Sequence, residues 1–537
     1  MTETLVIGLD GATWVVLDPL MERGLMPALD TLVRAGARAP LRTVMPPLTP
    51  PGWTSLMTGR TPAQHGVFDF FRRESPSSEY FRLTTAQDIV GATIWTQASR
   101  QGKRVLSLNF PVMFPAPPVL GRVIPGGWMP WRQLRLGCYP PGLFDRLKDL
   151  PSFDAKELSL DMALEAKAVE GCPPEEYADW VELHIRREER WFEVAQTLLA
   201  DEPAELVGIV FDGVDKLQHL CWRFLDPARR SANPQPWEEE MTAACERYFV
   251  RLDGIIARLV ALAGPEATVI VASDHGFGPT DELFFVNSWL AEQGFLAWAE
   301  DGSAGPTAAT DVGFAQMTRH ITLLDWSRTL AYAATPSSQG IHVVAKDPRT
   351  GRPMTATGRA EICQEITKAL LTARHPGTGA PLVSRVWPGE TAFGTSYTGI
   401  APDLAVELPD GMAFSIIRSP EVVLARDEPK GNHRWLGICS VTGPGVRVGD
   451  DIPELSICDV APMVLHSLGL AVPAGLDGRL PAEVYPSAQD LAPAQEDRPA
   501  LQLPEPAYAG SGDPGDGYDS ESEAVVVARL RALGYLD

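Results

Sequence analysis

The stretch "TLVIGLDG" (residues 4–11) is an apolar run that breaks off at Asp10-Gly11, and the chain repeats that design twice, in "ELVGIVFDG" (205–213) and "TVIVASDHG" (268–276). No polar residue alternates through these runs, so both faces of each are apolar. That pattern predicts strands buried on both sides in a mainly parallel sheet. Acidic and imidazole side chains appear only at the C-terminal ends of the runs, where open α/β sheets hold their ligands.

Helical periodicity fills the intervals. It is clear in "PALDTLVRAGA", in residues 174–200 and in "EEEMTAACERYFVRLDGIIARLVALAG", which are expected to cover the sheet. The predicted fold class is α/β, a three-layer α/β/α arrangement with a mainly parallel central sheet. Its core is expected in 1–110, 201–280 and 431–482. Two stretches depart from the alternation and are expected to lean over the active edge of the sheet as insertions. One is 111–200, Pro-rich and then helical. The other is 281–430, a cap with strand-like runs "TLAYAAT", "GIHVVAK" and "DLAVELP" and a helix near 355–373. "CDVAPMVLHSLGL" returns to the core as a helix with Asp459 at its start. Residues 483–520, rich in Pro, Ala, Gly and acid, read as a flexible linker, and 521–537 as a C-terminal amphipathic helix.

A chain of 537 residues is long enough for one large catalytic domain with insertions, or for two to three domains. Lys and Arg number 46 against 69 Asp and Glu, a net charge of −23, so a nucleic-acid polyanion is repelled and a small anionic substrate needs a local positive site. Bound metal ions are one such site. The seven cysteines are scattered and odd in number, with no C-x-x-C pair, and are expected to be reduced and mostly buried. Glu3 stands where a secretory segment is basic, and the first apolar run is too short for a membrane span. A cytoplasmic protein without membrane attachment is the expectation. The sequence does not speak to oligomeric state.

The chemistry gathers at the strand ends. In "DKLQH", Asp215 and His219 stand four apart, so one helical face can direct both at a single ion. In "ASDHGF", Asp274 and His275 adjoin a Gly turn that can aim both inward, and in "KGNHRWLGI" His433 is expected on a turn entering a strand. "PPLTPPGWTSLMTGRTPAQHG" (46–66) surrounds Thr49 with prolines, an arrangement suited to holding one hydroxyl rigidly. Singly, each feature reads as a cap, a turn or a surface contact. Together they supply three carboxylates, three imidazoles and a hydroxyl, the inventory of a dinuclear site with oxygen and nitrogen ligands.

The order of Asp10 in "GLDG", Thr49 in "PPLTPPGWTSLMTGRTPAQHGV", "DKLQHLCW", "SDHGF" and "GNHRWLGI" resembles the alkaline phosphatase superfamily, and within it the type I phosphodiesterase and nucleotide pyrophosphatase branch. The resemblance runs from about residue 4 to about 470. It implies an alkaline phosphatase-like fold and two divalent metal ions, zinc or in some cases manganese. It places Asp10, Thr49, Asp274 and His275 on one ion and Asp215, His219 and His433 on the other. It also implies that Thr49 is the nucleophile and carries the phosphoryl group as a covalent intermediate. Such an enzyme hydrolyses small phosphorylated substrates, with a phosphodiester or pyrophosphate bond expected here. A phosphomonoesterase, a phosphonate hydrolase of the same fold, and a non-catalytic phospho-ligand-binding protein are the alternatives.

This chain departs from the branch three residues after Thr49, where Gly52 stands in place of a common asparagine. No sulfatase-type C/S-x-P-x-R signature surrounds Thr49. Asp212 competes with Asp215 as a ligand but lacks its one-turn spacing to His219. Asn109 ends a strand near the predicted site, where a turn role before the following proline is favoured over a contact to a substrate oxygen; His342 is a candidate for lining the pocket or for cross-strand packing, and His65 is expected in a turn closing the Thr49 helix. Trp14, Trp53 and Trp128 are candidates for an apolar wall or for core.

Overall fold

The structure is a computed structural model that describes residues 1–487 apart from 79–80, 127–133, 136, 152, 160–166, 168–171, 300–322, 336 and 450–451. Among the described residues its central sheet has eight strands in the order Leu455–Ser456, Ala37–Arg42, Leu436–Thr442, Thr268–Ala272, Thr4–Leu9, Leu206–Phe211, Val105–Leu108 and Gly121–Ile124. Every neighbouring pair is parallel except the two made by Leu436–Thr442. The three apolar runs that end in acid lie side by side at its centre.

Alternation along Thr4–Leu9 explains the layers. Leu5, Ile7 and Leu9 join one core with the helices Trp14–Glu22, Pro27–Ala35, Tyr177–Asp201, Gly213–Leu225 and Pro236–Ala263. Val6 joins a second core on the opposite face with the helices Thr49–Thr58, Ile94–Arg100 and Val460–Ser467. Each fully buried aliphatic side chain contributes about 1.5–3 kcal/mol, so the sheet is held from both sides and its strand ends are fixed points for side chains. The fold is the three-layer α/β/α arrangement expected from the sequence.

Of the stretch 111–200, Gly121–Ile124 is the last strand of the main sheet and Tyr177–Asp201 packs in the same core as the first strand. Within 281–430, Leu404–Glu407 pairs with Gly340–Val343 and Arg385–Pro388, and Gly340–Val343 with Ala331–Tyr332, all antiparallel. The helix Ala356–Thr372 packs on that sheet through Ile362, Ile366 and Leu370 in a core of its own. Gly276–Phe285 runs out of the active edge and is flanked by Gly411–Ser415 and by Val423–Arg434. His433 therefore sits on a long strand, opposite Phe277, and not on the turn that Gly431 suggested. The ladder with Gly276–Phe285 extends through Gly431, which a glycine signal alone does not reveal.

The helix expected at 521–537 lies outside the described residues, as does the linker from residue 488 onward, while Val484 and Tyr485 still pack in the second core. All seven cysteines are free thiols, five of them buried. Among the described residues no helix is long and apolar enough to cross a membrane.

Candidate functional site

Seven sequence-predicted side chains come together at the C-terminal edge of the parallel strands. Asp10 follows Thr4–Leu9, and Asp274 and His275 occupy the turn between Thr268–Ala272 and Gly276–Phe285. Asp215 and His219 project from the helix Gly213–Leu225, which leaves the end of Leu206–Phe211. Thr49 is the first residue of the helix Thr49–Thr58 and is buried.

They form two groups. In the first, His275 Nε2 lies 3.2 Å from Asp274 Oδ2, 3.6 Å from Asp10 Oδ1 and 3.4 Å from Thr49 Oγ1. In the second, Asp215 Oδ1 lies 3.2 Å from His433 Nε2 and 3.5 Å from His219 Nε2, and the two Nε2 atoms are 3.0 Å apart. Within each group the acid and imidazole atoms fall within 4.8 Å of one another. The groups adjoin where the rings of His275 and His433 stack, with centroids 3.7 Å apart.

The backbone sets the orientation of every imidazole. His219 Nδ1 faces Gly431 O at 3.2 Å, His275 Nδ1 faces Gly276 O at 3.1 Å, and His433 Nδ1 faces Pro47 O at 3.1 Å. A carbonyl oxygen only accepts, so Nδ1 carries the hydrogen and each Nε2 presents a lone pair to the site. The outer carboxylate oxygens are tied down as well. Asp10 Oδ2 accepts from Trp53 Nε1 at 3.2 Å, and Asp274 Oδ1 from the Gly11 amide at 3.0 Å. The inner oxygens, Asp10 Oδ1, Asp215 Oδ1 and Asp274 Oδ2, are buried and have no hydrogen-bond partner among the described residues.

Burial drives the electrostatics. It pushes the Asp10 carboxyl well above the usual carboxylate range, helped by Asp274 and Asp215, and pushes Asp274 up to about 8. It lowers His219 to about 4 and His275 well below the ordinary imidazole value. The raised carboxyls of Asp10 and Asp274 and the lowered imidazoles of His219 and His275 both follow from crowding these groups into one buried place, a cost that a bound divalent cation would relieve. Three donorless oxygens and three aligned nitrogens fit a divalent ion in each group, and the oxygen and nitrogen donor set suits zinc or manganese.

Gly52 is part of this geometry. A Cβ at that position would lie 2.7 Å from Asp274 O and 2.9 Å from Asp274 Cβ, so the glycine lets the Thr49 helix approach the end of the strand. The remaining candidates fall outside the two groups. Asp212 lies 3.5 Å from Arg187, Asn109 donates to Val210 O at 2.8 Å, and His342 stacks on its cross-strand partner Tyr332. His65 bridges Ser55 Oγ and the Val67 amide within its turn. Trp14 lies under the Arg38 guanidinium, and Trp128 is outside the described residues. Sequence reasoning missed the bond from the Trp53 indole to Asp10. It also missed Gln218, whose amide donates to Gly11 O at 2.8 Å and ties the Asp215 helix to the loop of Asp10. The position of Gln218 between Asp215 and His219 was the available signal.

A family model described as type I phosphodiesterase / nucleotide pyrophosphatase matches residues 4–435, a range that includes all seven side chains, and the chain belongs to this family. Membership supports hydrolysis of phosphoric esters of the phosphodiesterase and nucleotide pyrophosphatase type. Similar solved structures include phosphonoacetate hydrolase from Sinorhizobium meliloti 1021 in complex with phosphonoacetate, at 17% identity and a TM-score of 0.48 over 87% of this chain and 96% of that one. Murine ectonucleotide pyrophosphatase / phosphodiesterase 5 in complex with AMP is similar at 13% identity and a TM-score of 0.48, over 88% of this chain and 96% of that one. No curated protein sequence matches the chain significantly.

Proposed function

We propose that the chain is a metal-dependent hydrolase of phosphate esters, acting on a phosphodiester or pyrophosphate bond with Thr49 as the nucleophile. The observation that carries this reading is the set of three buried inner carboxylate oxygens without donors, each facing an imidazole whose other nitrogen is fixed on a backbone carbonyl. Asp10, Asp274 and His275, with Thr49, would hold one divalent ion, and Asp215, His219 and His433 the other. Bound there, the ions would supply the positive charge that favours ionisation of the Thr49 hydroxyl and offsets the charge of the phosphoryl oxygens.

The chain itself contributes position. Pro50 and Pro51 fix two φ angles at the start of the helix and bring no N–H, and Gly52 N–H is bonded to Leu48 O at 2.9 Å. Thr49 is thereby held in a fixed backbone position at the first residue of the helix. The Thr49 Oγ1–P bond forms as the bond from phosphorus to the leaving ester oxygen breaks, and the hydroxyl proton passes to water. Attack by water then breaks the Oγ1–P bond and restores the hydroxyl.

Hydrolysis of bis-p-nitrophenyl phosphate and of p-nitrophenyl phosphate, with zinc or manganese added and with both removed by a chelator, tests this. The expected result is metal-dependent turnover with a higher kcat/KM for the diester. A preference for the monoester would move the assignment to a phosphomonoesterase. Two bound metal equivalents with no turnover of any ester would support a binding protein.

A further inference from the structure

The helix Gly213–Leu225 carries two of the three side chains in the second group, with Asp215 in its first turn and His219 one turn on. Helix N-termini leave backbone N–H groups without intrahelical partners, and a side chain at the cap normally accepts one of them. Here the cap residue, Asp212, makes no such bond. The acceptor comes from another helix. Glu188, on Tyr177–Asp201, accepts the Gly213 amide at Oε1 over 2.9 Å, and the same oxygen accepts the Tyr248 hydroxyl, from Pro236–Ala263, over 2.9 Å. Glu188, Gly213 and Tyr248 are all buried.

The fit around this oxygen leaves no slack. A Cβ at Gly213 would lie 2.5 Å from Glu188 Oε1 and 2.6 Å from Tyr248 Oη. One carboxyl oxygen therefore joins three helices two residues before Asp215. The partner of Asp215, His433, arrives on a strand of a different sheet, so a small rotation of the first helical turn changes the distance between them. The first group has separate anchors in Trp53 and the Gly11 amide.

We propose that Glu188 is a positioning residue for the second ligand set, an acceptor supplied by a neighbouring helix that fixes where Asp215 stands relative to His433. The inference rests on the reading that each set holds a metal ion. Hydrogen-bond partners of metal ligands are worth about 10–100-fold in affinity, and Glu188 acts one step further out, on the backbone amide two residues before Asp215.

The test compares the full-length zinc-loaded chain with Glu188→Ala, Glu188→Gln, Tyr248→Phe and Gly213→Ala. Each is titrated with a chelator while released zinc and thermal unfolding are followed. Glu188→Ala and Gly213→Ala should release one of the two equivalents at roughly 10–100-fold lower chelator concentration, with the other unchanged. Glu188→Gln keeps an oxygen that can accept both bonds and should release zinc as the unmodified chain does, and Tyr248→Phe should fall between. The proposal is overturned if both equivalents of Glu188→Ala come off as in the unmodified chain, or if both weaken equally with a matching loss of thermal stability. Should Glu188→Ala fail to fold, loss of selectivity in Tyr248→Phe and Gly213→Ala would overturn it instead. An unmodified chain that never takes up two equivalents would refute the metal reading itself, and the positioning role with it.

Discussion

Asp69 and the pair Asp10 and Asp274 are all buried carboxyl groups held off their ordinary pKa by burial, yet their surroundings differ in one respect. Asp69, at the junction of the core with the 331–343 region, has a partner for each oxygen: Ser337 Oγ at 2.8 Å and the Phe70 amide at 2.6 Å on Oδ1, and Thr335 Oγ1 at 2.5 Å on Oδ2. Asp10 and Asp274 each have one oxygen bonded and one with no partner among the described residues. Burial alone therefore does not mark a reactive site. An unpartnered buried acceptor carries a desolvation penalty of about 1–3 kcal/mol or more, and three of them converging on imidazole nitrogens support the proposed role as metal ligands. The satisfied carboxyl of Asp69 makes sense as a joint.

The largest expected effect breaks the unsatisfied side of this comparison. Thr49→Ala should lower kcat by roughly 10⁴-fold or more, the range found when a nucleophile is removed. Metal analysis should still show two equivalents, because the carboxylates and imidazoles remain. Comparable turnover in the variant would rule out Thr49 as the attacking group.

A smaller effect comes from crowding the same site. Gly52→Ala places a methyl group against the Asp274 backbone and must push the Thr49 helix away from the strand end. A displacement of about 1 Å at a reacting group can reduce turnover by about 10²-fold, and overpacking costs about 1–3 kcal/mol of stability. Steady-state kinetics with urea unfolding would read both, and an unchanged kcat would show that this close approach does not set the position of Thr49.

Asp69 gives the smallest effect on hydrolysis, which should be none. Burial raises its carboxyl to about 6 from 3.8, against the opposing bonds from Thr335 and Ser337. The folded chain then holds this proton more tightly than the unfolded chain. The resulting stability is fully present below about pH 4 and lost as pH rises through about 6, a change of about 3 kcal/mol. Asp69→Asn should remove that slope from urea unfolding measured between pH 4 and 7, while kcat stays as in the unmodified chain. A slope identical in the two proteins would show that Asp69 does not carry it.

Much of the fold was legible because its signals are local. Apolar runs ending in Asp-Gly or Asp-His-Gly identified the central strands, and the one-turn spacing of Asp215 and His219 placed both on one helical face. The convergence of the two groups came from the ordered motifs, since nothing local to Asp10 reports Asp274, 264 positions away. What stayed hidden is carried by long-range contacts with no periodicity. The Pro47 carbonyl under His433, the Trp53 indole on Asp10 and the Glu188 carboxyl on Gly213 each pair a side chain with a group fixed by another element. His433 was misjudged for a related reason. Gly431 is a turn signal in isolation, but here it lies within a ladder with Gly276–Phe285. Burial of Glu188 on an otherwise charged helix was equally invisible, since a charged residue at a helical position reads as solvent-facing.

Anomalous diffraction from crystals of the zinc-loaded chain is the most direct check on a paired metal site beside Thr49. Two peaks are expected, one among Asp10, Asp274 and His275 within reach of Thr49 Oγ1, and one among Asp215, His219 and His433. A single peak, or two peaks that leave either trio empty, would contradict the paired site.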